Sequence, residues 1–161
     1  MFLRTIEKDG QVFFKQIPNI PKAYQSLEDI GRFKRRELKP THNLKAIFKS
    51  IRNYLAANNV GVTRDEILAQ PLINFIFCKL YDEKMTHPED IVNFWGGVDE
   101  PAQKVQKFSF ELFEKVRENQ KHLFGLEDKI ILDKNSIAYV VGELQNYSLI
   151  NYDRDIVADA F

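Results

Sequence analysis

A run of basic residues is the feature of this sequence best suited to chemistry with a partner. Residues 31–52 hold eight Lys or Arg and one acid, Glu37, although the whole chain is balanced at 23 basic and 23 acidic residues. A basic stripe beside an otherwise acidic body suits contact with the phosphates of nucleic acid. The alternative is that these residues are only a solvent-exposed connector and helix face, which is the more common reason for a run of charged residues. The DNA-binding candidates are Arg32, Lys34, Arg35, Arg36, Lys39, Lys45, Lys49 and Arg52.

A second cluster combines acids with one histidine: Asp82, Glu83, His87, Glu89 and Asp90. Carboxylates and imidazole can hold a divalent cation. The spacing matches no known metal-binding loop, however, and Pro88 divides the group. We interpret the cluster as solvated acids at a helix end and predict no metal site.

The remaining reactive residue types form no recognisable active site. Cys78 lies in an apolar run, which favours a buried core residue over a nucleophile, and the histidines His42, His87 and His122 are scattered. Gly96-Gly97 follows Phe94-Trp95, which indicates a helix end and not a phosphate-binding loop. We therefore predict no catalytic, cofactor-binding or metal-binding residue.

The chain lacks the marks of export. Its first residues contain no apolar signal core, and no apolar stretch approaches the ~18–20 residues of a membrane span. A lone cysteine also excludes an intrachain disulfide. We expect a cytoplasmic protein with no membrane partner.

The elements that must position the basic run are mainly helical. We predict a mainly α fold, an irregular multi-helix bundle of five to seven helices with a short N-terminal β-hairpin around Asp9-Gly10. The predicted organisation is a hairpin over 1–20, a basic connector over 21–42 and a helical domain over 43–161.

Helical periodicity and capping residues set the expected helices. Thr41 or Asn43 should cap a helix that ends near Asn58, with one apolar face. A capping box at Thr63–Glu66 should open the most buried helix, which Pro71 should kink. Further helices are expected over 24–30, from Pro88 to Trp95, over 101–122, after Asn135 or Ser136, and after Asp153; residues 130–132 could form a short strand.

From about Pro40 to Phe161 the chain resembles the helical N-terminal domain of N6-adenine DNA methyltransferases, the modification subunits of type I restriction systems. The resemblance is carried by Ile73–Glu83 (INFIFCKLYDE), Val141–Leu149 (VGELQNYSL) and Asp153–Phe161 (DRDIVADAF), in that order. The hairpin and the extended Ile17–Pro21 look like the end of a restriction-endonuclease-like domain. The chain stops on Phe161 within an apolar pattern, so we expect it to be a piece of a longer protein.

The resemblance implies a supporting role. The family binds S-adenosylmethionine through a Gly-containing loop after a strand and holds the flipped adenine with an Asn-Pro-Pro-aromatic tetrapeptide, and this sequence has neither. No cofactor or catalytic residue can be carried over, and S-adenosylmethionine is expected only in the parent catalytic domain.

Three hypotheses of function follow. The first is a non-catalytic domain of such a methyltransferase, with DNA and a specificity subunit or second methyltransferase subunit as partners. The second is a stand-alone helical protein–protein interaction module, whose basic segment would dock an acidic protein. The third is a small enzyme whose site is assembled from distant residues, which would need a deep polar pocket with perturbed titrating groups.

Overall fold

The computed structural model describes residues 2–6, 10–16, 20–58, 65–97, 100–125, 128–152 and 156. The fold is mainly helical, as predicted. Within these residues lie four α-helices, α1 (Leu44–Asn58), α2 (Asp65–Met85), α3 (Ala102–Asn119) and α4 (Lys134–Leu144), and two strands, β1 (Phe2–Ile6) and β2 (Val12–Gln16). None of the described helices combines the length and apolar character needed to cross a bilayer.

Helix α2 buries many side chains, as its nearly continuous apolar sequence predicts. Its side chains Leu72, Phe75 and Ile76 are fully buried, and Pro71 lies inside it. Helix α1 buries Leu44, Phe48, Ile51 and Leu55, so its predicted apolar face is confirmed. Helices α3 and α4 pack against each other, α3 also contacts α2, and α1 packs mainly on α4.

The prediction of a helix from Pro88 to Trp95 is wrong. Residues 88–90 form a turn, and Ile91 then forms an antiparallel bridge with Lys34. The amide of Val92 donates to the carbonyl oxygen of Phe33 at 3.0 Å, and the amide of Phe94 donates to the Asp82 carboxylate at 2.7 Å. Amides that a helix would satisfy locally have tertiary partners instead, which local propensity cannot reveal.

Smaller corrections concern helix ends. Helix α3 stops at Asn119, short of the expected His122, and α4 is capped by Asp133, not by Asn135 or Ser136. Residues 24–30 contain only a 3-10 turn at Leu27–Asp29. Residues 130–132 form no strand, although Ile130 and Leu132 are buried in the core.

Some predictions concern residues outside the described ranges. Thr63 of the capping box lies outside the described residues, as does the predicted last helix apart from Ile156. Strands β1 and β2 pair antiparallel, with Phe2 opposite Gln16 and Ile6 opposite Val12. Asp9 of the expected turn is also outside the described residues, so the hairpin as a unit stays a prediction.

Two carboxylates at the end of α2 hold distant segments of backbone. Glu83 accepts hydrogen bonds from the Ser148 hydroxyl at 2.9 Å and from the amides of Leu149 and Ile150 at 3.0 and 3.3 Å. It also pairs with Lys79 at 3.2 Å, and the exposed fractions of these two side chains are 1% and 0%. Desolvation lowers the pKa of Lys79, and the Glu83 charge opposes that shift. A buried pair that also satisfies backbone amides is costly to break from one side.

We expect Glu83→Ala to lower the free energy of unfolding by about 3–5 kcal/mol, because it leaves the Lys79 ammonium, the Ser148 hydroxyl and the Leu149 amide buried without this acceptor. Urea denaturation measures the change. The matched control is Glu111→Ala on α3, whose carboxylate is 57% exposed, and which should change stability by less than about 0.5 kcal/mol. Equal losses for the two variants would contradict the anchoring role of Glu83.

A second prediction concerns the cap of α4. The Asp133 carboxylate accepts from the Ser136 hydroxyl and from the amides of Ser136 and Asn135, and these bonds lower its pKa. A carboxyl whose pKa is lowered by folding stabilises the protein above its unfolded pKa, and that contribution is lost as the pH falls through the folded pKa. Asp133→Ala should cost about 1 kcal/mol at pH 7.

Asp133→Asn is the matched control, because its amide oxygen still accepts from the helix amides but does not titrate in this range. The stability gap between wild type and Asp133→Asn should narrow as the pH is lowered below about 4. A gap that stays constant from pH 7 to pH 3 in thermal unfolding would show that the Asp133 charge plays no part.

Candidate nucleic-acid interface

The structure divides the eight basic candidates into two sets. The anchored group comprises Arg32, Lys34, Arg35 and Arg36, which lie against residues 86–95. The α1 face comprises Lys45, Lys49 and Arg52, which follow one flank of helix α1 next to its buried side. Lys39 lies between the two sets. The eight residues form one basic stripe in the sequence, whereas the structure separates them into these sets.

The backbone of the anchored group is held by tertiary hydrogen bonds. The amides of Arg35 and Arg36 donate to the carbonyl oxygens of Asp90 and Pro88 at 3.0 and 3.1 Å. Behind them Phe33, Leu38 and Val92 form a small buried cluster. This part of the predicted connector is therefore packed against the helical domain.

The side chains of the anchored group already have protein partners. Lys34 and Arg36 form ion pairs with Glu89 at 3.3 and 3.0 Å. The Arg35 guanidinium donates to the carbonyl oxygen of Thr86 at 3.1 Å. The Arg32 guanidinium lies over the Trp95 ring, 4.4 Å from its centroid. The shared carboxylate of Glu89 offsets one positive charge of the group through exposed ion pairs that are individually weak. The contacts of Arg32 and Arg35 hold their side chains in place without neutralising them.

Lys39 is held through its backbone alone. Its amide donates to the carbonyl oxygen of Asn146, and its own carbonyl oxygen accepts from the amide of Ser148, both at 2.9 Å. The residue is exposed, and no described acid pairs with its ammonium group. The bond to Ser148 places Lys39 next to the segment that Glu83 anchors.

Two lysines of the α1 face carry positive charge that no described acid compensates. Lys45 and Lys49 are exposed and one helical turn apart, and neither has an ion-pair partner among the described residues. Arg52 continues the line and is half-buried. Helix α1 contains no acid, and neither does the sequence from residue 38 to residue 64. Such a face attracts polyanions in a salt-dependent manner.

Contacts with α4 fix α1 in place. The rings of Tyr54 and Tyr139 stack with centroids 3.7 Å apart and planes 5° from parallel. The hydroxyl groups of Ser50 and Tyr139 share a hydrogen bond of 3.2 Å. Together with the buried side of α1, these contacts give the α1 face a defined orientation on the domain.

The side chains opposite the buried side of α1 are short. Ala46, Asn53 and Ala57 are all exposed there, and the sequence analysis did not single them out. The signal was present in the sequence, since the helical period that assigns Phe48 and Leu55 to the core also places these three residues on the far side.

The acidic cluster forms no site of its own. Its interpretation as solvated acids is wrong for Asp82 and Glu83, which are 2% and 1% exposed and accept backbone hydrogen bonds. Glu89 pairs with the anchored group, whereas His87 and Asp90 are exposed. Across the described ranges, no three or more His, Cys, Asp or Glu side chains converge as a metal ion would require.

The buried titrating groups Cys78 and Lys79 line neither of two cavities formed by the described residues. Burial raises the pKa of the Cys78 thiol, which makes it a poor nucleophile, and Lys79 is enclosed with Glu83. A cavity of about 220 Å³ is lined by Asn93, Trp95, Phe108, Glu111, Leu112 and Lys115, and a smaller apolar one lies between α2 and α3. Neither contains Cys78 or Lys79, so these cavities lend no support to the enzyme hypothesis.

Comparison with known proteins identifies no relative. No protein-family model, no curated protein and no solved structure matches this chain. No function can therefore be transferred to it from a relative.

The contact between Arg32 and the only tryptophan of the chain allows a direct test of the anchored group. We expect Arg32→Ala to alter the intensity and red-shift the emission of Trp95 fluorescence, because removing the guanidinium uncovers one face of the ring. Lys34→Ala, whose ammonium contacts Glu89, is the matched control and should leave the spectrum unchanged. Identical spectra for wild type and Arg32→Ala would contradict this packing.

Proposed function

We propose that this chain is a non-catalytic helical domain of an N6-adenine DNA methyltransferase of a type I restriction–modification system, and that it contacts duplex DNA through the α1 face. The DNA contact is supported by which basic residues form ion pairs with acids of the protein and which do not. Lys45 and Lys49 are exposed and unpaired among the described residues, on a helix without any acid. The assignment to a methyltransferase is supported by the resemblance of residues 73–83, 141–149 and 153–161.

The proposed contact is with the phosphate backbone. Protein cations gain affinity for DNA by releasing condensed counterions, so a cation engaged by a protein carboxylate contributes less than a free one. Lys34 and Arg36 share Glu89, whereas Lys45 and Lys49 have no such competitor among the described acids. The α1 face, with Lys39 beside it, is therefore the stronger candidate.

A second contact, with a specificity subunit or a second methyltransferase subunit, is also part of the proposal. Exposed large apolar side chains of the helical domain are the positions proposed for this contact. Ile131 is 80% exposed and Met85 is 66% exposed. S-adenosylmethionine is assigned to the parent catalytic domain alone.

Fluorescence anisotropy with a nonspecific duplex tests the DNA contact. We expect salt-sensitive binding by the wild type and at least about tenfold weaker binding at low salt by Lys45→Gln/Lys49→Gln/Arg52→Gln. The slope of log affinity against log salt should fall by about 2–3 in that variant, because up to three phosphate contacts are removed.

The matched control removes the same charge from α3 and its end. Lys107, Lys115 and Lys121 are exposed, so Lys107→Gln/Lys115→Gln/Lys121→Gln changes net charge equally without touching the α1 face. Its affinity should stay within about threefold of the wild type. Equal losses in both triple variants would show that binding follows net charge alone. No binding at low salt would contradict the DNA contact and favour the protein–protein interaction module.

A further inference from the structure

The face of α1 that points away from the core has a composition suited to more than backbone contact. Ala46, Asn53 and Ala57 are exposed along its middle, opposite the buried Phe48 and Leu55. Lys45, Lys49 and Arg52 follow one flank, with the spacing i, i+4, i+7. The exposed face of α1 therefore has a central ridge of short side chains along its middle and long cationic side chains along one flank.

From this arrangement we infer that α1 lies in the major groove of duplex DNA, with Asn53 facing the base edges and Lys45, Lys49 and Arg52 on the phosphates of one strand. The inference rests on the proposed DNA contact and deepens it by naming the groove.

Dimensions and charge support the major groove. The groove is about 12 Å wide and admits an α-helix, whereas the minor groove of about 6 Å does not. Short side chains let the helix backbone approach the floor of the groove, and Ala46 and Ala57 are short and exposed. The absence of acids from α1 removes the repulsion that a carboxylate would meet between two phosphate strands.

Asn53 is the residue of this face with base-reading chemistry. Its amide can donate to one base-edge atom and accept from another, and the major-groove edge of adenine presents that complementary pair. The side of α1 towards α4 carries Ser50 and Tyr54, which bind Tyr139 and hold the helix in register. Asn53 is exposed one position away from this fixed contact, so its direction is set by the packing of α1.

Modified duplexes distinguish the grooves. The probe is one 20-base-pair duplex in three forms: unmodified, with glucosylated 5-hydroxymethylcytosine in place of cytosine, and with inosine in place of guanine. Glucose fills the major groove without adding charge, whereas inosine removes only the minor-groove amino group of guanine. We expect the full chain to bind the glucosylated duplex at least about tenfold more weakly and the inosine duplex with unchanged affinity.

A variant pair tests the same inference from the side of the protein. Ala46→Tyr places a bulky uncharged side chain on the central ridge and should weaken binding to the unmodified duplex at least about fivefold, because it holds α1 out of the groove. Gln103→Tyr makes a similar change at an exposed position of α3 and should have no effect. Circular dichroism on both variants establishes that α1 still forms.

The outcomes separate this inference from the proposed function. Loss of binding in the Lys45/Lys49/Arg52 variant, together with equal affinity for glucosylated and unmodified duplexes, would leave DNA binding intact and overturn the groove assignment. Weaker binding to the inosine duplex alone would place the contact in the minor groove and also overturn it. Failure of the wild type to bind any duplex would remove the proposed function itself.

Discussion

The buried carboxylates at the C-terminal end of α2 are the constraint on which the rest of this structure depends. Asp82 and Glu83 are adjacent in sequence, yet they accept backbone hydrogen bonds from two distant segments, at Phe94 and at Leu149. An ionised carboxylate is stable in a protein interior only if donors surround it, so both segments must dock for the helix end to be buried. Two side chains on a single turn thereby couple three parts of the chain.

The same constraint arranges the basic residues. The bond from Phe94 to Asp82 helps to hold residues 91–94 in place. Ile91 and Val92 bond in turn to the backbone at Lys34 and Phe33, next to the contacts of the anchored group with Glu89 and Trp95. The segment held by Glu83 pairs in turn with Lys39, next to the start of α1. The charged side chains of the anchored group contact other parts of the protein, while Lys45 and Lys49 on α1 stay available. This separation is the physical basis of the proposed DNA contact.

Much of the helical framework was predictable from patterns that are local in sequence. Helices α1 and α3 follow from a helical period of apolar residues, and α2 follows from a long, nearly continuous apolar run. The periodic placement of Leu44, Phe48, Ile51 and Leu55 predicted both the core side of α1 and, by the same rule, its exposed side. The helix expected after Pro88 failed for the opposite reason. Proline and acids there imitate a helix start, but the partners of Val92 and Phe94 lie tens of residues away along the chain or on the preceding helix.

The sequence by itself determined the charge of this protein: a neutral chain whose basic residues concentrate in one window, with no acid on α1. It also determined that a mainly helical core would form, since amphipathic periods depend only on neighbouring residues. Only the tertiary structure decided which charges are available, because an ion pair such as Arg36–Glu89 joins residues far apart in sequence. Likewise, whether Asp82 and Glu83 face water or serve as buried acceptors depends on which backbone amides fold against them, and that is a property of packing alone.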